Sequence, residues 1–237
     1  MSLQYFYHSR SPLQPGLLEL DEDTSRHLVQ VLRSKEGQAM RLTDGLGTTA
    51  NAVIATADKK RTQVRIEAIE HIPATAPRSI LGISILKNNN RIEWLLEKAA
   101  EMGISEIIPL LCDRTEKDKF RYDRMQSILV SAMLQSQQAW LPMLREPLLF
   151  DKLLEDVGLN GVAQRFIAHC LPAEKTALRN AIDTTNDCIV LVGPEGDFTP
   201  GEIDRAIDRG YRAVSLGNTR LRTETAGLVA AMMMRFR

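Results

Sequence analysis

The residues whose types and spacing best suit chemistry lie between Cys188 and Ala226. Two glycine-bearing loops follow two short apolar strands there: residues 193–196 (Gly-Pro-Glu-Gly) follow 189–192, and residues 217–222 follow 213–216. Loops at strand ends of an open α/β sheet leave backbone groups unpaired, and glycine leaves no side chain to block a ligand. The pair of loops therefore predicts a ligand site at one edge of a sheet, although either loop alone fits an ordinary βα turn equally well.

The same stretch carries charged side chains suited to catalysis. Arg220 and Arg222 are permanently charged donors, which stabilise an anion but do not remove a proton. Glu195 and Glu224 are candidates for a general base, and water is a third. Glu224 fits a structural role equally well, because a carboxylate in the first turn of a helix interacts favourably with the helix dipole. The residues alone leave the base open.

Two familiar nucleotide-binding motifs do not fit this stretch. The first loop lacks the third glycine of Gly-x-Gly-x-x-Gly and comes late in the chain, and the helix after it starts with Thr-Pro-Gly instead of Gly-Lys-Ser/Thr. The cysteines, Cys112, Cys170 and Cys188, show no metal-ligand spacing. We therefore expect reduced thiols and no metal site.

The composition, 44% hydrophobic and 25% charged, is typical of a soluble globular protein of one large or two small domains. Thirty basic residues balance thirty acidic residues, so any RNA binding must come from local patches. No apolar run is long enough to span a bilayer, and the N-terminal residues lack the apolar core of a signal peptide. These features predict a cytoplasmic protein that does not associate with membranes.

The hydrophobic pattern divides the chain into two domains joined by a linker. Residues 1–72 read as a small β-rich domain with a helix between Asp21 and Arg33, and the proline-containing segment 73–79 reads as the linker. Residues 80–237 alternate strands and helices, which predicts an α/β domain with a mostly parallel sheet covered by helices on both faces. In that domain a helix is expected from about Ala173.

An apolar run covers Leu228 to Met234 on the last predicted helix. The run is too broad for a single buried stripe, and such a surface is usually covered by the sheet or by a partner. We expect a homodimer.

Several motifs resemble a known family. GPEGDF (residues 193–198) and LGNTRLRTETA (216–226) are similar to the C-terminal motifs of the SPOUT methyltransferases, most closely the RsmE group, which makes 3-methyluridine in 16S small-subunit ribosomal RNA. LKNNNRIEWLLEKAAEMGISEIIPL (86–110) resembles the same group, and RHLVQVLR (26–33) with TDGLG (43–47) resembles its PUA-like RNA-binding domain. The chain departs from the family pattern at Leu134 and Gln138, where a glutamate and an arginine are expected; this weakens any role of those positions in RNA contact or catalysis.

The resemblance implies a PUA-like β-barrel, a SPOUT domain with a trefoil knot, and methyl transfer from S-adenosylmethionine to N3 of one uridine of the free RNA or of the assembled small subunit. The alternative is a non-catalytic RNA-binding or ribosome-assembly protein that kept the fold. The expected cofactor-binding residues are Leu171, Val192, Gly193, Pro194, Gly196, Leu216, Gly217, Leu221, Arg222, Thr225 and Ala226. The catalytic candidates are Arg222, Arg220, Glu195 and Glu224. The candidates for RNA contact are Arg10, Arg26, Arg33, Arg41, Lys87, Arg91 and Arg114.

Overall fold

A computed structural model describes residues 3–116, 119–183 and 185–236. The chain divides into two compact units, Met1–Ala74 with Met133–Leu141 and Thr75–Ala132 with Pro142–Arg237. The sequence pattern did not predict that residues 133–141 belong to the first unit. None of the helices in the described part of the chain is both long and apolar enough to cross a membrane.

The first unit is a five-stranded sheet with a short helix. Its elements are β1 (Tyr5–Tyr7), β2 (Gly16–Glu19), α1 (Glu22–Arg26), β3 (Ala39–Thr43), β4 (Thr48–Thr56) and β5 (Gln63–His71). The strand order is β1-β3-β4-β5-β2, with β1 parallel to β3 and the other neighbours antiparallel. Met40, Leu42, Ile54 and Val64 lie in its core. Alternation along each strand places these apolar side chains on one face.

The helix of the first unit is less regular than the predicted helix from Asp21 to Arg33. Asp21 caps α1 by accepting a hydrogen bond from Thr24 N, and a π-helical turn over His27–Val31 follows. Arg33 then has a left-handed backbone with φ 55°. That conformation cannot continue a right-handed helix, so the element ends before Arg33.

The segment Met133–Leu141 completes the first unit through hydrogen bonds. The indole of Trp140 donates to the carbonyl of Ile72 over 2.8 Å. The backbone N–H of Gly47 donates to the carbonyl of Ala139 over 3.0 Å, and Leu141 N–H donates to Gly45 O over 2.9 Å. Hydrophobic periodicity along the chain does not reveal these contacts, because the partners are far apart in the sequence.

The second unit contains an eight-stranded sheet. Its elements are β6 (Ser79–Ser84), α2 (Asn89–Glu101), β7 (Glu106–Leu111), α3 (Tyr122–Gln135), β8 (Met143–Leu144), β9 (Leu148–Leu149), α4 (Phe150–Leu154), β10 (Gln164–Ala168), β11 (Thr176–Ala177), α5 (Leu178–Ala181), β12 (Cys188–Val192), α6 (Pro200–Asp208), β13 (Arg212–Ser215) and α7 (Thr223–Arg235). The last three residues of α3 belong to the first unit.

The strand order of the large sheet is β11-β13-β10-β12-β6-β7-β8, and β9 also pairs with β7. Every pairing between its described strands is parallel. The predicted α/β fold with a second, small β domain is therefore confirmed, whereas the trefoil knot stays a prediction. Because the strands are parallel, their carboxyl ends share one edge of the sheet.

Helices cover both faces of this sheet. Ile189 and Leu191 of β12 belong to one core cluster with Ile203 and Ala206 of α6. On the other face Gly227 lets α7 approach α2 and β6, since a Cβ there would come within 3.0 Å of Leu95 and 3.1 Å of Ile83. The helix expected from about Ala173 instead begins at Leu178 and makes a single turn, because Thr176 and Ala177 pair with β13.

We predict that Gly47→Ala lowers the free energy of unfolding of the first unit by about 3 kcal/mol. Gly47 has φ +92°, and an added Cβ would lie 2.5 Å from the Trp140 ring and 2.7 Å from Ile72 O. The control is Gly37→Ala, at φ +83° with nothing within 4 Å of the new Cβ, which should cost only about 1 kcal/mol of backbone strain. Urea unfolding followed by Trp140 fluorescence in a Trp94→Phe background measures both; equal losses would contradict the packing role assigned to Trp140.

Candidate functional site

A cavity of about 670 Å³ lies at the carboxyl edge of the large sheet, at the ends of β10, β12 and β13. Since β10 lies between the other two strands, the chain segments that leave the three strands are neighbours. The cavity is lined by residues 168–170, 192–195 and 215–223 together with Arg91, Lys175, Asp197 and Ala226. Every lining residue belongs to the second unit.

The loop after β12 is held in a conformation that needs specific residues. A Cβ on Gly193 would come within 3.0 Å of Phe198 N and of the buried Phe198 ring. Asp197 has a left-handed backbone with φ 64°. Its N–H donates to Pro194 O over 2.9 Å, and its carboxylate accepts from Phe198 N over 2.8 Å and from Cys170 N over 2.7 Å. The bond to Cys170 ties this loop to the exit of β10.

The loop after β13 presents cationic side chains to the cavity. Gly217 has φ +146°, which other residues rarely adopt. Arg220 and Arg222 line the cavity and are exposed. Arg222 is also the N-cap residue of α7, and its carbonyl accepts a hydrogen bond from Ala226 N over 2.8 Å. Its backbone is thereby fixed while its guanidinium stays available.

The segment after β10 is stabilised by a lysine that the sequence motifs did not single out. The Lys175 ammonium donates to His169 O over 2.9 Å and to Leu171 O over 2.7 Å. These carbonyls lie beyond the last sheet pair of β10, so no neighbouring strand donates a hydrogen bond to them. The lysine supplies the missing donor. Lys175 lies in the stretch where the sequence predicted a helix, which is why its role was missed.

The buried imidazole of His169 lies in the cavity wall. The side chain is 7% exposed, and neither ring nitrogen has a hydrogen-bond partner among the described residues. Burial lowers the pKa of His169 from its usual value of 6.5; the nearby Lys175 ammonium lowers it further, while Asp197 raises it. A neutral imidazole offers one donor and one acceptor, so a bound ligand or water can satisfy it.

The acidic candidates occupy different environments. Glu195 lines the cavity, is exposed, and accepts a hydrogen bond from Lys87 N–H over 3.3 Å. Glu224 is buried and forms an ion pair with Arg91, with 3.6 Å between Glu224 Oε1 and Arg91 Nε. Its second oxygen has no hydrogen-bond partner among the described residues. Arg91 lines the cavity and Glu224 does not, so the two carboxylates are suited to different roles.

The structure brings most of the expected site residues together. Eight of the expected cofactor-binding residues line the cavity: Val192, Gly193, Pro194, Leu216, Gly217, Leu221, Arg222 and Ala226. Leu171, Gly196 and Thr225 are not among the described lining residues. The cavity is also lined by His169, Cys170, Lys175 and Asp197, which the sequence analysis did not predict as site residues. The sequence signal for Asp197 was present in GPEGDF, since Asp tolerates left-handed backbone better than most residues.

The basic residues expected to contact RNA are in varied environments. In the first unit Arg10 and Arg33 are exposed, Arg26 pairs with Glu22 and Asp23, and Arg41 bonds to Glu70 and Thr49. In the second unit the ammonium of Lys87 pairs with Glu116 over 2.7 Å, and Arg114 bonds to the loop after β12.

Comparison with known proteins identifies the family. An RNA methyltransferase domain model matches residues 74–235, and a PUA domain model of RNA methyltransferases matches residues 20–67. A probable rRNA methyltransferase from Porphyromonas gingivalis is 33% identical, with 98% of each chain covered and a TM-score of 0.89. The chain belongs to the RsmE family of RNA methyltransferases.

The names of two further relatives state a substrate, the RNA of the small ribosomal subunit. Ribosomal RNA small subunit methyltransferase E from Neisseria gonorrhoeae, solved bound to S-adenosylmethionine, is 26% identical, covers 98% of this chain and 97% of its own, and has a TM-score of 0.85. The protein of that name from Mycobacterium bovis is 28% identical over 97% of this chain and 90% of its own length. The first unit of this RsmE-family protein thus contains the part matched by the PUA model, and the second contains the cavity.

We predict that the stability of the protein falls as the pH is lowered from about 7.5 to about 5.5, and that His169→Gln makes the fall shallower. The pKa of His169 is lower in the folded chain than in the unfolded chain. The unfolded chain therefore binds the proton first as the pH falls, and the free energy of unfolding decreases. Urea unfolding at several pH values measures this, with the exposed His27→Gln as control; identical pH profiles for His169→Gln and the wild type would overturn the prediction.

Proposed function

We propose that this protein methylates N3 of a uridine in 16S small-subunit ribosomal RNA with S-adenosylmethionine as methyl donor. Membership in the RsmE family supports methyl transfer to ribosomal RNA. The observation that carries the proposal is the cavity at the strand ends, where Glu195 lies with Arg220 and Arg222. A carboxylate base that takes the proton and two permanently charged donors that stabilise the anion are what methylation of a weakly acidic N–H group requires.

The residues present fit S-adenosylmethionine. Gly217 carries no side chain beyond the end of β13, and nothing lies within 4 Å of where its Cβ would be, so a flat adenine can approach backbone donors and acceptors there. Leu216 and Leu221 supply apolar lining, and the unpartnered ring nitrogens of His169 supply polar atoms that need a partner. When bound, the cofactor supplies a methyl group activated as a cationic sulfonium.

The chain's own residues handle the proton and the charge of the uridine. N3 carries a proton that must leave as the N3–methyl bond forms, and Glu195 has a carboxylate in the cavity wall that can accept it. The carboxylate of Asp197 also lies in the wall, but it already accepts hydrogen bonds from the backbone of Cys170 and Phe198. The negative charge left on the ring spreads to the carbonyl oxygens O2 and O4. Arg220 and Arg222 can donate to those oxygens, which stabilises the negative charge as it develops.

In this proposal Glu224 holds the guanidinium of Arg91 and does not accept the proton from N3. Its carboxylate lies 3.6 Å from Arg91 and outside the described cavity lining. It can hold the guanidinium of Arg91 toward the cavity while Arg91 contacts the substrate. Because N3 lies on the Watson–Crick edge, the target uridine must be unpaired or turned out of a helix to reach the cavity.

Holding the RNA is proposed for the first unit, through the exposed Arg10 and Arg33 and the half-exposed Arg26. Arg41 contributes less in this proposal, since Glu70, Thr49 and the Tyr5 ring already occupy its guanidinium. The formal charge of the chain is zero, so affinity depends on such local clusters. The salt dependence of RNA affinity measures their number, with about one unit of slope for each phosphate contact.

Transfer of a labelled methyl group to small-subunit RNA, followed by mass spectrometry of the nucleosides, tests the proposed function. We predict 3-methyluridine as the product with wild type, and a rate about a hundredfold lower with Glu195→Gln, which removes the base but keeps its shape. Glu224→Gln should lose less than Glu195→Gln, because it weakens the ion pair with Arg91 and leaves the proton acceptor in place. A methylated base other than uridine, or a greater loss in Glu224→Gln than in Glu195→Gln, would contradict the assignment.

The protein is further proposed to act as a homodimer through α7. Leu228, Val229 and Met233 are half-buried in the isolated chain and Met232 is 46% exposed. An apolar stripe of this kind on a regular helix is usually covered by a partner. Trp94 of α2, the helix that packs against α7, is also 42% exposed.

Light scattering should therefore give a mass about twice 26.6 kDa at micromolar protein. Met232→Glu should shift the mass toward the monomer, because a charge at a buried contact is costly. The exposed Ile207 on α6 provides a matched control, Ile207→Glu, which should leave the mass unchanged. A wild-type protein that stays near 26.6 kDa would refute the dimer.

A further inference from the structure

The side chain of Arg114 lies against Gly196 in the loop after β12. Neither residue is among the described residues that line the cavity, and we refer to this side of the loop as its outer side. Its guanidinium donates to Gly196 O over 2.8 Å and approaches Phe198 O at 3.5 Å. A Cβ on Gly196 would lie 3.3 Å from Arg114 Cδ and 3.4 Å from Arg114 Cβ. Gly196 is outside the described cavity lining while Pro194, Glu195 and Asp197 are inside it. The glycine therefore makes room for the arginine.

The segment that carries Arg114 is itself fixed. Asp113 N–H donates to the fully buried Glu202 over 2.9 Å, and Thr199 Oγ1 donates to the Asp113 carboxylate over 3.1 Å. Cys112 N–H donates to Thr115 Oγ1 over 2.9 Å. These bonds join the end of β7 to the start of α6, so Arg114 approaches the loop from a rigid base.

The loop is consequently anchored from two sides. On the cavity side the carboxylate of Asp197 accepts from Cys170 N over 2.7 Å, and on the outer side Arg114 binds the preceding carbonyl, that of Gly196. Between these anchors Asp197 keeps its left-handed φ of 64°. Asp tolerates this conformation better than most residues, but it still costs energy relative to a right-handed backbone, so removing one anchor should let the loop relax.

We propose that Arg114 is a positioning residue for cofactor binding: it holds the loop 193–198 in the shape that S-adenosylmethionine requires. This inference rests on the proposed function. It gives Arg114 a role different from the RNA contact predicted for it from the sequence. The reason is geometric, because the guanidinium that would bind a phosphate is engaged with backbone carbonyls of the loop.

Isothermal titration of S-adenosylmethionine into the full chain tests the inference without measuring activity. Arg114→Ala should weaken binding about tenfold, the effect of losing one or two charge-assisted hydrogen bonds. Arg114→Lys should recover part of the affinity, since lysine can donate to one carbonyl but lacks the planar fork. The melting temperature without ligand shows whether each variant is folded, and if Arg114→Ala does not fold, Arg114→Lys and Gly196→Ala carry the comparison.

Gly196→Ala provides a double-mutant cycle. Its backbone does not have the positive φ that disfavours alanine, and the three heavy atoms nearest to its new Cβ would all belong to the Arg114 side chain. In the wild type Gly196→Ala should weaken cofactor binding by displacing Arg114, whereas in the Arg114→Ala background it should have no further effect. Additive effects in the two backgrounds would show that the two residues act separately, and would overturn the proposal.

RNA binding across a salt series separates positioning from phosphate contact. With a positioning role, Arg114→Ala keeps the wild-type slope, while the control Arg10→Ala/Arg33→Ala flattens it by about two units. An Arg114→Ala variant with unchanged cofactor affinity and a slope lower by about one unit would overturn the inference in favour of a phosphate contact. A wild type that does not bind S-adenosylmethionine would instead contradict the proposed function itself.

Discussion

Unpaired backbone groups at the ends of β10, β12 and β13 constrain the whole site. Parallel strands leave N–H and C=O groups at their carboxyl ends without sheet partners, and buried groups of this kind are costly unless something binds them. Lys175 binds two such carbonyls and Asp197 binds one N–H. These side chains shape the walls, and the space between the walls is the cavity.

This constraint explains why the two glycine-bearing loops, 193–196 and 217–222, combine glycine with charged residues. Gly193 is required because Phe198 lies where its side chain would be, and Gly217 is required by its backbone angle. Charged side chains then fix the remaining turns from outside, as Arg114 does at Gly196, while Arg220 and Arg222 keep their guanidinium groups exposed. The side chain that hydrogen-bonds to the loop backbone, Arg114, is thus different from the side chains that remain available to a substrate, Arg220 and Arg222. In the proposed mechanism the exposed guanidinium groups of Arg220 and Arg222 are the donors to the substrate.

Local signals in the sequence predicted much of the fold and the two principal loops. Ile189 to Val192 form a buried strand, and Thr199 with Glu202 forms the capping box of α6. The prediction failed at two contacts of different kinds. Lys175 binds carbonyls only four and six residues away, in a stretch that resembled a helix start. Trp140 joins the first unit through Ile72, 68 residues away in the sequence. Gly196 shows the same limit within the motif itself. The spacing of Gly193 and Gly196 indicates a tight loop, but only the structure shows that Gly196 faces Arg114.

Hydrogen–deuterium exchange of the full chain, with and without S-adenosylmethionine, tests most directly whether the three strand ends form one cofactor site. The account predicts that the ligand slows exchange in residues 168–171, 192–198 and 215–222 together, because the fold alone makes these distant segments neighbours. Slower exchange in one of these segments alone, or only in the first unit, would contradict it.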